Sequence, residues 1–307
     1  MQIKRIKKNS LLGLICPAGR NKDFERSQEF IDILKSHGFR VKEGKSLYAR
    51  DGYLAGSDEL RAKDIMDMFL DDDVDAILCY KGGFGVTRLL DLLDFNEIKK
   101  HPKLLIGFSD VTALLISINQ LSGIPTIHGE MGVRYARADE FTKKHFFDCL
   151  LNDEYPVLKN QAEEAITINS GKATGQIIGG NLCLIHALMG TPYEIDTDNK
   201  ILFIEEVNEA PYKIDRMLST LRLAGKFKNL KGVILGKFSG CDDTENNGDQ
   251  QLSDLINTYF KNLNVPVLAN FESGHAFPFL NIPFGVDVEF DADKKTVNVL
   301  KSLFFDK

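Results

Sequence analysis

Short apolar runs alternate with amphipathic segments over the first half of the chain, from Leu11 to about Leu150. Such runs suit strands that are buried on both faces of a parallel sheet. The segments between them space apolar residues three and four apart and begin near Asp or Ser, which predicts helices. We predict strands at LLGLI, DAILCY, KLLIGF and IPTIH, and helices at NKDFERSQEFIDILKSHG, SDELRAKDIMDMFLDD and DVTALLISINQLSG. This order predicts a parallel sheet with crossover helices, which we assign to residues 1–150.

The pattern changes after this region. Residues 151–172 are polar, lack a helical period and contain a proline, so we interpret them as a linker. Residues 173–307 form a second unit, with strands at ATGQII, KILFIEEV, KGVILGKF and VPVLANF, and helices at APYKIDRMLSTLRLAG and DQQLSDLINTYFKNL. Two alternating runs flank a polar turn in GVDVEFDADKKTVNVLK, which predicts a hairpin.

Composition excludes several classes of protein. The formal net charge is -6 and no long basic run occurs, so the positive surface that nucleic acids require is missing. No apolar stretch approaches the roughly 18 residues of a membrane span, and the run Leu11–Cys16 is short for an export signal. The five cysteines are scattered, without a C-x-x-C pair, which argues against disulfides or a zinc site. We therefore expect a cytoplasmic protein without a metal or cofactor.

One candidate for chemistry is the junction in KLLIGFSDVTALL, where Ser109 lies between an apolar strand and a helix. A strand-to-helix turn can hold a nucleophile at the carboxyl end of a sheet, where amides of the helix start can stabilise an oxyanion. However, Ser or Asp at this position usually caps the helix, and the second glycine of G-x-S-x-G is absent. Taken alone, the junction is more typical of a cap.

A second candidate is the glycine-rich turn Gly82–Gly85 that follows the strand DAILCY. Glycines allow backbone amides to approach a ligand closely, so the turn could bind phosphate or supply an oxyanion donor beside Ser109. The phosphate interpretation lacks the P-loop ending and the dinucleotide spacing. A tight turn without function is the remaining alternative.

A serine nucleophile needs a histidine base, and the base needs an orienting carboxylate. His128 at the end of a strand and His275 in a loop rich in glycine, proline and aromatic residues are both candidates, and the sequence separates them poorly. For the carboxylate, KILFIEEVNEAPYK offers three glutamates, Glu205, Glu206 and Glu209, of which the first two should point to opposite faces of the strand.

Seven segments together resemble one family. They are LICPAG, YKGGFGVTRLLDLLDF, LLIGFSDVTALL, HGEM, LFIEEVNEAPYKIDRMLSTLRLAG, GVILGKFSGC and SGHAFPFLNIPFG, and they span nearly the whole chain. In this order they resemble the LD-carboxypeptidase family of serine peptidases, which includes muramoyltetrapeptide carboxypeptidases and microcin C immunity peptidases. The resemblance implies an α/β fold, with an N-terminal doubly wound, mainly parallel sheet that carries the serine and a second, mainly β domain.

The resemblance also assigns roles to residues. It implies a triad of Ser109 as nucleophile, His275 as base and Glu205 as the orienting carboxylate, which prefers His275 over His128. It implies an oxyanion hole made by the amides of Asp110 and Gly83, with Gly82 as the weaker alternative. Three positions depart from the family pattern: the arginine before the glycines is Lys81, the aromatic residue in the turn is Phe84, and Glu130 follows His128-Gly129.

The activity implied is that of a serine carboxypeptidase, acting as a cytoplasmic homodimer on murein peptides. It would cleave the amide between an L-centre and a C-terminal D-amino acid, using residues from both domains. The alternative within the family is amide hydrolysis in a microcin C-type peptidyl-nucleotide, although the chain has no tryptophan to stack on a base. An alternative of another class is a non-catalytic protein whose two domains bind a small ligand.

Overall fold

The computed structural model describes residues 3–242 and 251–305. Within these ranges the strands are β1 (Ile3–Lys4), β2 (Leu11–Ile15), β3 (Arg40–Glu43), β4 (Val74–Cys79), β5 (Leu104–Gly107), β6 (Thr126–His128), β7 (Ile166–Asn169), β8 (Lys172–Asn181), β9 (Ile201–Val207), β10 (Gly232–Ser239), β11 (Val267–Ala269), β12 (Ile282–Phe284), β13 (Asp287–Asp291), β14 (Thr296–Val299) and β15 (Phe304–Phe305). The helices are α1 (Phe24–Ser36), α2 (Asp58–Leu70), α3 (Phe95–Lys100), α4 (Thr112–Ser122), α5 (Gly132–Tyr135), α6 (Glu140–Leu151), α7 (Leu182–Ala187), α8 (Pro211–Leu223) and α9 (Leu252–Phe260).

The first of two compact units takes in the chain up to Tyr155, the segment Asn281–Gly285 and the residues from Ser302 onward. Its main sheet has the strand order β12-β6-β5-β4-β2-β3, and every neighbouring pair except β12–β6 is parallel. All six residues of β4 are buried, because helices cover both faces of a doubly wound sheet. The predicted parallel sheet is confirmed, and its four predicted strands are β2, β4, β5 and β6.

The helices of this unit begin and end where local chemistry allows. The side chains of Asp23, Ser57 and Asp139 accept hydrogen bonds from backbone amides in the first turns of α1, α2 and α6. At the other end of α4, Gly123 adopts a left-handed conformation (φ 69°), which glycine tolerates without a steric penalty. These signals explain why α1, α2 and α4 could be predicted from the sequence, whereas α6 was not predicted although it begins with a similar cap.

The second unit comprises Pro156–Leu280 and Val286–Lys301. Its seven-stranded sheet has the order β14-β13-β8-β9-β10-β11-β7, in which β8 to β11 are parallel and the outer pairs are antiparallel. The predicted hairpin is confirmed as β13–β14. The predicted helix DQQLSDLINTYFKNL is α9, although its first two residues, 249 and 250, lie outside the described residues.

The division of the chain differs from 1–150, 151–172 and 173–307 in two ways. First, β7 lies within the predicted linker, where it pairs antiparallel with β11. Second, the chain returns twice to the first unit: β12 pairs with β6, and β15 pairs with β1. Ile282 and Phe284 of β12 are fully buried in the first unit. Burial of these apolar side chains stabilises a short strand that is far in sequence from the other strands of its sheet.

No helix within residues 3–242 and 251–305 has both the length and the apolar character needed to cross a membrane.

Candidate active site

Ser109 lies two residues after the carboxyl end of β5. Its φ of 62° is left-handed, a conformation that a residue with a side chain adopts at a cost of about 1–2 kcal/mol. The chain then forms one 3-10 turn, Ser109–Val111, and continues as α4. The N-cap residues of these two segments are Phe108 and Val111, neither of which forms a side-chain cap hydrogen bond, so Ser109 and Asp110 lie within the first helical turn and not at the N-cap. The turn instead presents a strained serine at the end of a central strand.

The glycine turn Gly82–Gly85 lies beside this serine, because β4 and β5 are adjacent parallel strands. A Cβ added to Gly82 would lie 3.1 Å from the Ser109 Cβ and 3.3 Å from its Oγ. Gly83 has φ 123° and would meet the Gly19 Cα at 3.2 Å, so both space and backbone conformation require glycine. Any side chain at position 82 would therefore crowd the Ser109 hydroxyl.

The carboxylate of Asp110 links the two segments. Its Oδ2 accepts a hydrogen bond of 2.9 Å from the Val86 amide, directly after the glycine turn. Burial raises the pKa of Asp110 to about 6, while the Val86 amide and the Arg61 charge act in the opposite direction. The side chain next to the serine thus holds the glycine turn in place.

Arg61 of α2 holds the same turn from another side, and its side chain is completely buried. Its Nη1 donates to the carbonyls of Pro17 (2.8 Å) and Gly85 (3.0 Å), its Nε donates to a third carbonyl at position 56, and its Nη2 pairs with Asp58. Burial lowers the pKa of this guanidinium, an effect that the Asp58 carboxylate opposes. One arginine therefore connects the loops that follow β2 and β4.

Sequence reasoning missed Arg61. The available signal was its position on α2, four residues before Ile65 and seven before Met68, which places a charged residue on the apolar face of the helix. A charge on a buried face needs partners, and here these are carbonyls at strand ends.

In the second unit, Glu205 and His275 are in direct contact. The Glu205 Oε2 lies 2.8 Å from the His275 Nδ1; the carboxylate is completely buried, and the His275 side chain is 17% exposed. A carboxylate at Nδ1 fixes the tautomer that carries the proton on Nδ1, which leaves Nε2 to accept a proton. This is the arrangement that a general base requires.

Two glycines make room for this pair. A Cβ at Gly274, which has φ 130°, would lie 3.0 Å from the Glu205 Oε2. A Cβ at Gly236 would lie 2.4 Å from the Ser273 carbonyl oxygen and 3.1 Å from the Glu205 Cβ. Alanine at either position would push the carboxylate and the histidine loop apart.

The other two candidate glutamates have different partners. Glu206 accepts hydrogen bonds from the Asn181 side chain and from the amides of Cys183 and Val207, each at 2.8 Å, and burial raises its pKa. Glu209 forms an ion pair with Lys213 at 3.1 Å. Strand alternation thus separates Glu205 from Glu206, as the sequence pattern indicated.

The loop that carries His275 is anchored by Glu272, which the sequence did not single out. Its buried carboxylate accepts hydrogen bonds from three consecutive amides, those of Gln161 (2.5 Å), Ala162 (2.9 Å) and Glu163 (2.7 Å). Across the loop, the Ser273 hydroxyl donates to the Leu280 carbonyl at 2.8 Å. Glu272 and Ser273, which lie three and two positions before His275, thereby fix the base of its loop.

His128, the other candidate base, is a buried core residue. Its ring packs against Phe108 and Phe284, with centroids 5.7 and 6.0 Å apart. Nearby, Glu130 accepts a hydrogen bond from the Met131 amide and pairs with Arg134 at 3.3 Å, and the Arg134 guanidinium lies 4.9 Å from the centre of the Phe108 ring. Glu130 is therefore linked through Arg134 to Phe108, the residue before the serine.

The remaining two departures lie at the glycine turn. Lys81 donates from Nζ to the Arg20 carbonyl at 3.0 Å. Phe84 is 50% exposed, and its ring centre lies 5.9 Å from that of Tyr53. Among the described residues, no group of three or more histidine, cysteine, aspartate or glutamate side chains could hold a metal ion.

Residues 12–129 match the LD-carboxypeptidase N-terminal domain, and residues 174–290 match the LD-carboxypeptidase C-terminal domain. A probable murein peptide carboxypeptidase of Bacillus subtilis (strain 168) is 36% identical over 296 residues, which cover 95% of this chain and 92% of that protein. The crystal structure of a muramoyltetrapeptide carboxypeptidase from Oxalobacter formigenes superimposes with a TM-score of 0.82 at 27% identity, covering 94% of this chain and 97% of the other. The structure of MccF in complex with glutamyl sulfamoyl guanosine superimposes with a TM-score of 0.90 over 99% of both chains. At 23% identity, this similarity shows a shared fold.

The α/β fold and these matches define the protein as a serine-type hydrolase of the carboxypeptidase class. More particularly, the chain belongs to the LD-carboxypeptidase family. Because this family consists of peptidases, its match argues against the alternative of a non-catalytic protein that binds a small ligand.

Proposed function

We propose that the protein removes a C-terminal D-amino acid from murein peptides, in the recycling of cell-wall material, with Ser109, His275 and Glu205 as its catalytic triad. The observation that carries the proposal is the left-handed backbone of Ser109 at the end of β5, beside a glycine turn. Strain of this kind persists where the surrounding structure enforces it, as in the nucleophile turns of other serine hydrolases. The carboxylate–imidazole contact of Glu205 and His275 supplies the second part.

In the proposed mechanism the Ser109 Oγ attacks the carbonyl carbon of the last amide while the His275 Nε2 takes its proton. The developing oxyanion accepts hydrogen bonds from the amides of Asp110 and Gly83, with Gly82 as the alternative donor. Expulsion of the D-amino acid returns the proton from His275 to the leaving amine. Water, deprotonated by His275, then hydrolyses the ester on Ser109.

Glu205 acts in this scheme by holding the imidazole rather than by taking a proton itself. Its Oε2 accepts the Nδ1 proton, and the negative charge stabilises the imidazolium that forms at each proton transfer. The Gly83 amide has no acceptor among the described residues, which suits a donor reserved for the oxyanion.

The substrate test compares three compounds. We expect release of D-alanine from L-Ala-γ-D-Glu-diaminopimelate-D-Ala, with at least about a hundredfold slower cleavage of the analogue that ends in L-alanine, because a displaced carbonyl loses its alignment with the serine. The Ser109→Ala protein serves as the blank. Equal rates on both epimers contradict the proposal, and rapid cleavage of a peptidyl-nucleotide without cleavage of the tetrapeptide assigns the chain to the microcin branch.

The proposal includes a cytoplasmic homodimer. All five cysteines are unpaired, and four of them are buried, which suits a reducing compartment. The dimer is supported by the family resemblance alone. Light scattering should give twice the chain mass of 34.4 kDa, and a monomer at micromolar concentration contradicts this part.

A further inference from the structure

Three basic residues, Arg20, Lys22 and Lys81, lie close together at the ends of β2 and β4, and we refer to them as the basic cluster. The Lys81 Nζ donates to the Arg20 carbonyl at 3.0 Å. The Arg20 Nε is buried and has no hydrogen-bond partner, and no carboxylate of residues 3–242 or 251–305 pairs with any of the three cations. Burial lowers the pKa of Lys81, as do the charges of Lys22 and Arg20. Unpaired positive charge therefore collects here in a chain whose net charge is -6.

The basic cluster adjoins the glycine turn. The Gly19 amide donates to the Gly82 carbonyl at 3.1 Å, and a Cβ at Gly19 would lie 3.7 Å from the Lys81 Cε and 3.6 Å from the Gly83 Cα. On the neighbouring side, a Cβ at Gly82 would lie 3.3 Å from the Ser109 Oγ. The glycine turn thus adjoins both the Ser109 hydroxyl and the Gly19–Arg20 segment that the Lys81 side chain contacts.

A carboxypeptidase needs a positively charged group close to the bond that it cleaves. In a C-terminal residue only the amide nitrogen and the Cα separate the scissile carbonyl carbon from the carboxylate carbon, so the two lie within about 4 Å of each other. A carboxylate desolvated at that position needs charged donors, which an arginine can supply as a pair and a lysine as a point charge.

We propose that the basic cluster is the subsite for the terminal carboxylate of the substrate, with Lys81 and Arg20 as its specificity-determining residues. The inference rests on the proposed function for the identity of the substrate, and it adds the groups that distinguish a free C-terminus from an internal amide. It also gives the Lys81 departure a role: the lysine keeps the positive charge beside the turn.

The experiment measures binding and turnover separately. Binding of the tetrapeptide and of its C-terminal amide to Ser109→Ala protein is measured by calorimetry, with and without Lys81→Met; kcat and KM are measured in the Ser109 protein. We expect Lys81→Met to weaken binding of the free acid by about 10- to 100-fold, to raise KM to a similar extent, and to leave the amide unaffected. Lys81→Arg should restore most of the preference, and Arg20→Gln should repeat the loss in part.

The matched control is Lys63→Met, which removes a lysine paired with Asp67 on the surface of α2 and should change neither ligand's affinity. If Lys81→Met and Arg20→Gln both weaken acid and amide equally, or weaken neither, the basic cluster is not a carboxylate subsite, even when the tetrapeptide is cleaved. If the tetrapeptide is not cleaved but its binding still depends on Lys81 and on the free carboxylate, the proposed function fails and the subsite stands.

Discussion

At the scale of single residues, the left-handed backbone of Ser109 lowers the stability of the fold at a position where the proposed reaction requires a hydroxyl. A left-handed serine is less stable than glycine in the same place, yet only the serine carries a hydroxyl. The space beside the serine holds no further side chain at position 82, because a Cβ added to Gly82 would lie 3.1 Å from the Ser109 Cβ. The position should therefore respond to mutation in the opposite way from an ordinary helical serine.

We expect Ser109→Gly to be more stable than Ser109→Ala by about 1 kcal/mol, because only glycine adopts φ 62° without strain. Both variants should lose at least about a thousandfold in kcat. The matched pair is Ser219→Gly and Ser219→Ala in the interior of α8, where the glycine variant should be the less stable by a similar amount. Denaturant unfolding measures all four, and equal signs at the two positions would contradict the assignment of strain.

A second test at this scale separates Glu205 from Glu206. Glu205→Gln should lower kcat by about a hundredfold or more, because a neutral amide no longer stabilises the imidazolium of His275. Glu206→Gln should lower the free energy of unfolding, since its carboxylate accepts three hydrogen bonds, and should leave kcat within tenfold. The reverse pattern would transfer the orienting role to Glu206.

At the scale of elements, local patterns predicted what is buried on both faces and missed the edges. β2, β4, β5 and β6 appear as apolar runs because helices cover both sides of the sheet. β3, with the sequence RVKE, is an exposed edge strand, and β7 lies in a polar stretch, so neither carries an apolar signal.

The residues in the loops at the strand ends also divide into those that the sequence identified and those that it missed. The resemblance selected Ser109, Glu205 and His275 because each lies in a motif. It did not select Arg61 or Glu272, which act on backbone groups far away in the sequence. The position of Arg61 on the apolar face of α2 indicates only that it needs buried partners. The carbonyls that Arg61 binds and the amides that Glu272 binds are far away in the sequence, so only the structure identifies them.

Arg61 provides the test at this scale. Arg61→Lys keeps a positive charge but cannot donate to the Pro17 and Gly85 carbonyls in the same geometry. We expect kcat to fall by about 10- to 100-fold with KM changed less than threefold, because the glycine turn, which carries the proposed oxyanion donor Gly83, shifts. The control is Arg216→Lys on the exposed face of α8. Both are assayed well below their melting temperatures, and an unchanged kcat would limit Arg61 to stability.

At the scale of the whole molecule, pH should act on stability through two buried groups with opposite signs. Burial lowers the pKa of His145 to about 4, and its Nδ1 accepts a hydrogen bond from the Asn281 amide at 3.3 Å. Unfolded histidine takes up a proton near pH 6.5, so the unfolded state binds more protons between pH 6.5 and 4, and stability falls on acidification. Asp110, with its pKa raised to about 6, takes up a proton in the folded state at a higher pH than in the unfolded state. Its contribution to stability therefore increases as the pH falls through about 6.

The measurement is the free energy of unfolding from pH 7 to pH 4.5. Wild type should lose its advantage over His145→Gln as the pH falls, by at most about 1.4 kcal/mol per pH unit. The free energy of unfolding of the wild type, relative to that of Asp110→Asn, should instead increase as the pH falls. Parallel curves for all three proteins would show that neither group titrates within the folded chain in this range.

The return of β12 to β6 also bears on how the chain is made. β6 ends at His128, and the strand that covers its edge begins at Ile282, roughly 150 residues later. At typical rates of synthesis of about 5–20 residues per second, the ribosome needs on the order of ten to thirty seconds to supply it. During that interval the nascent sheet presents an open edge with the residues of β6 unpaired on one side, a site where another nascent chain or a chaperone can bind. The segment from Ile282 onward therefore determines when the unit that carries Ser109 becomes complete.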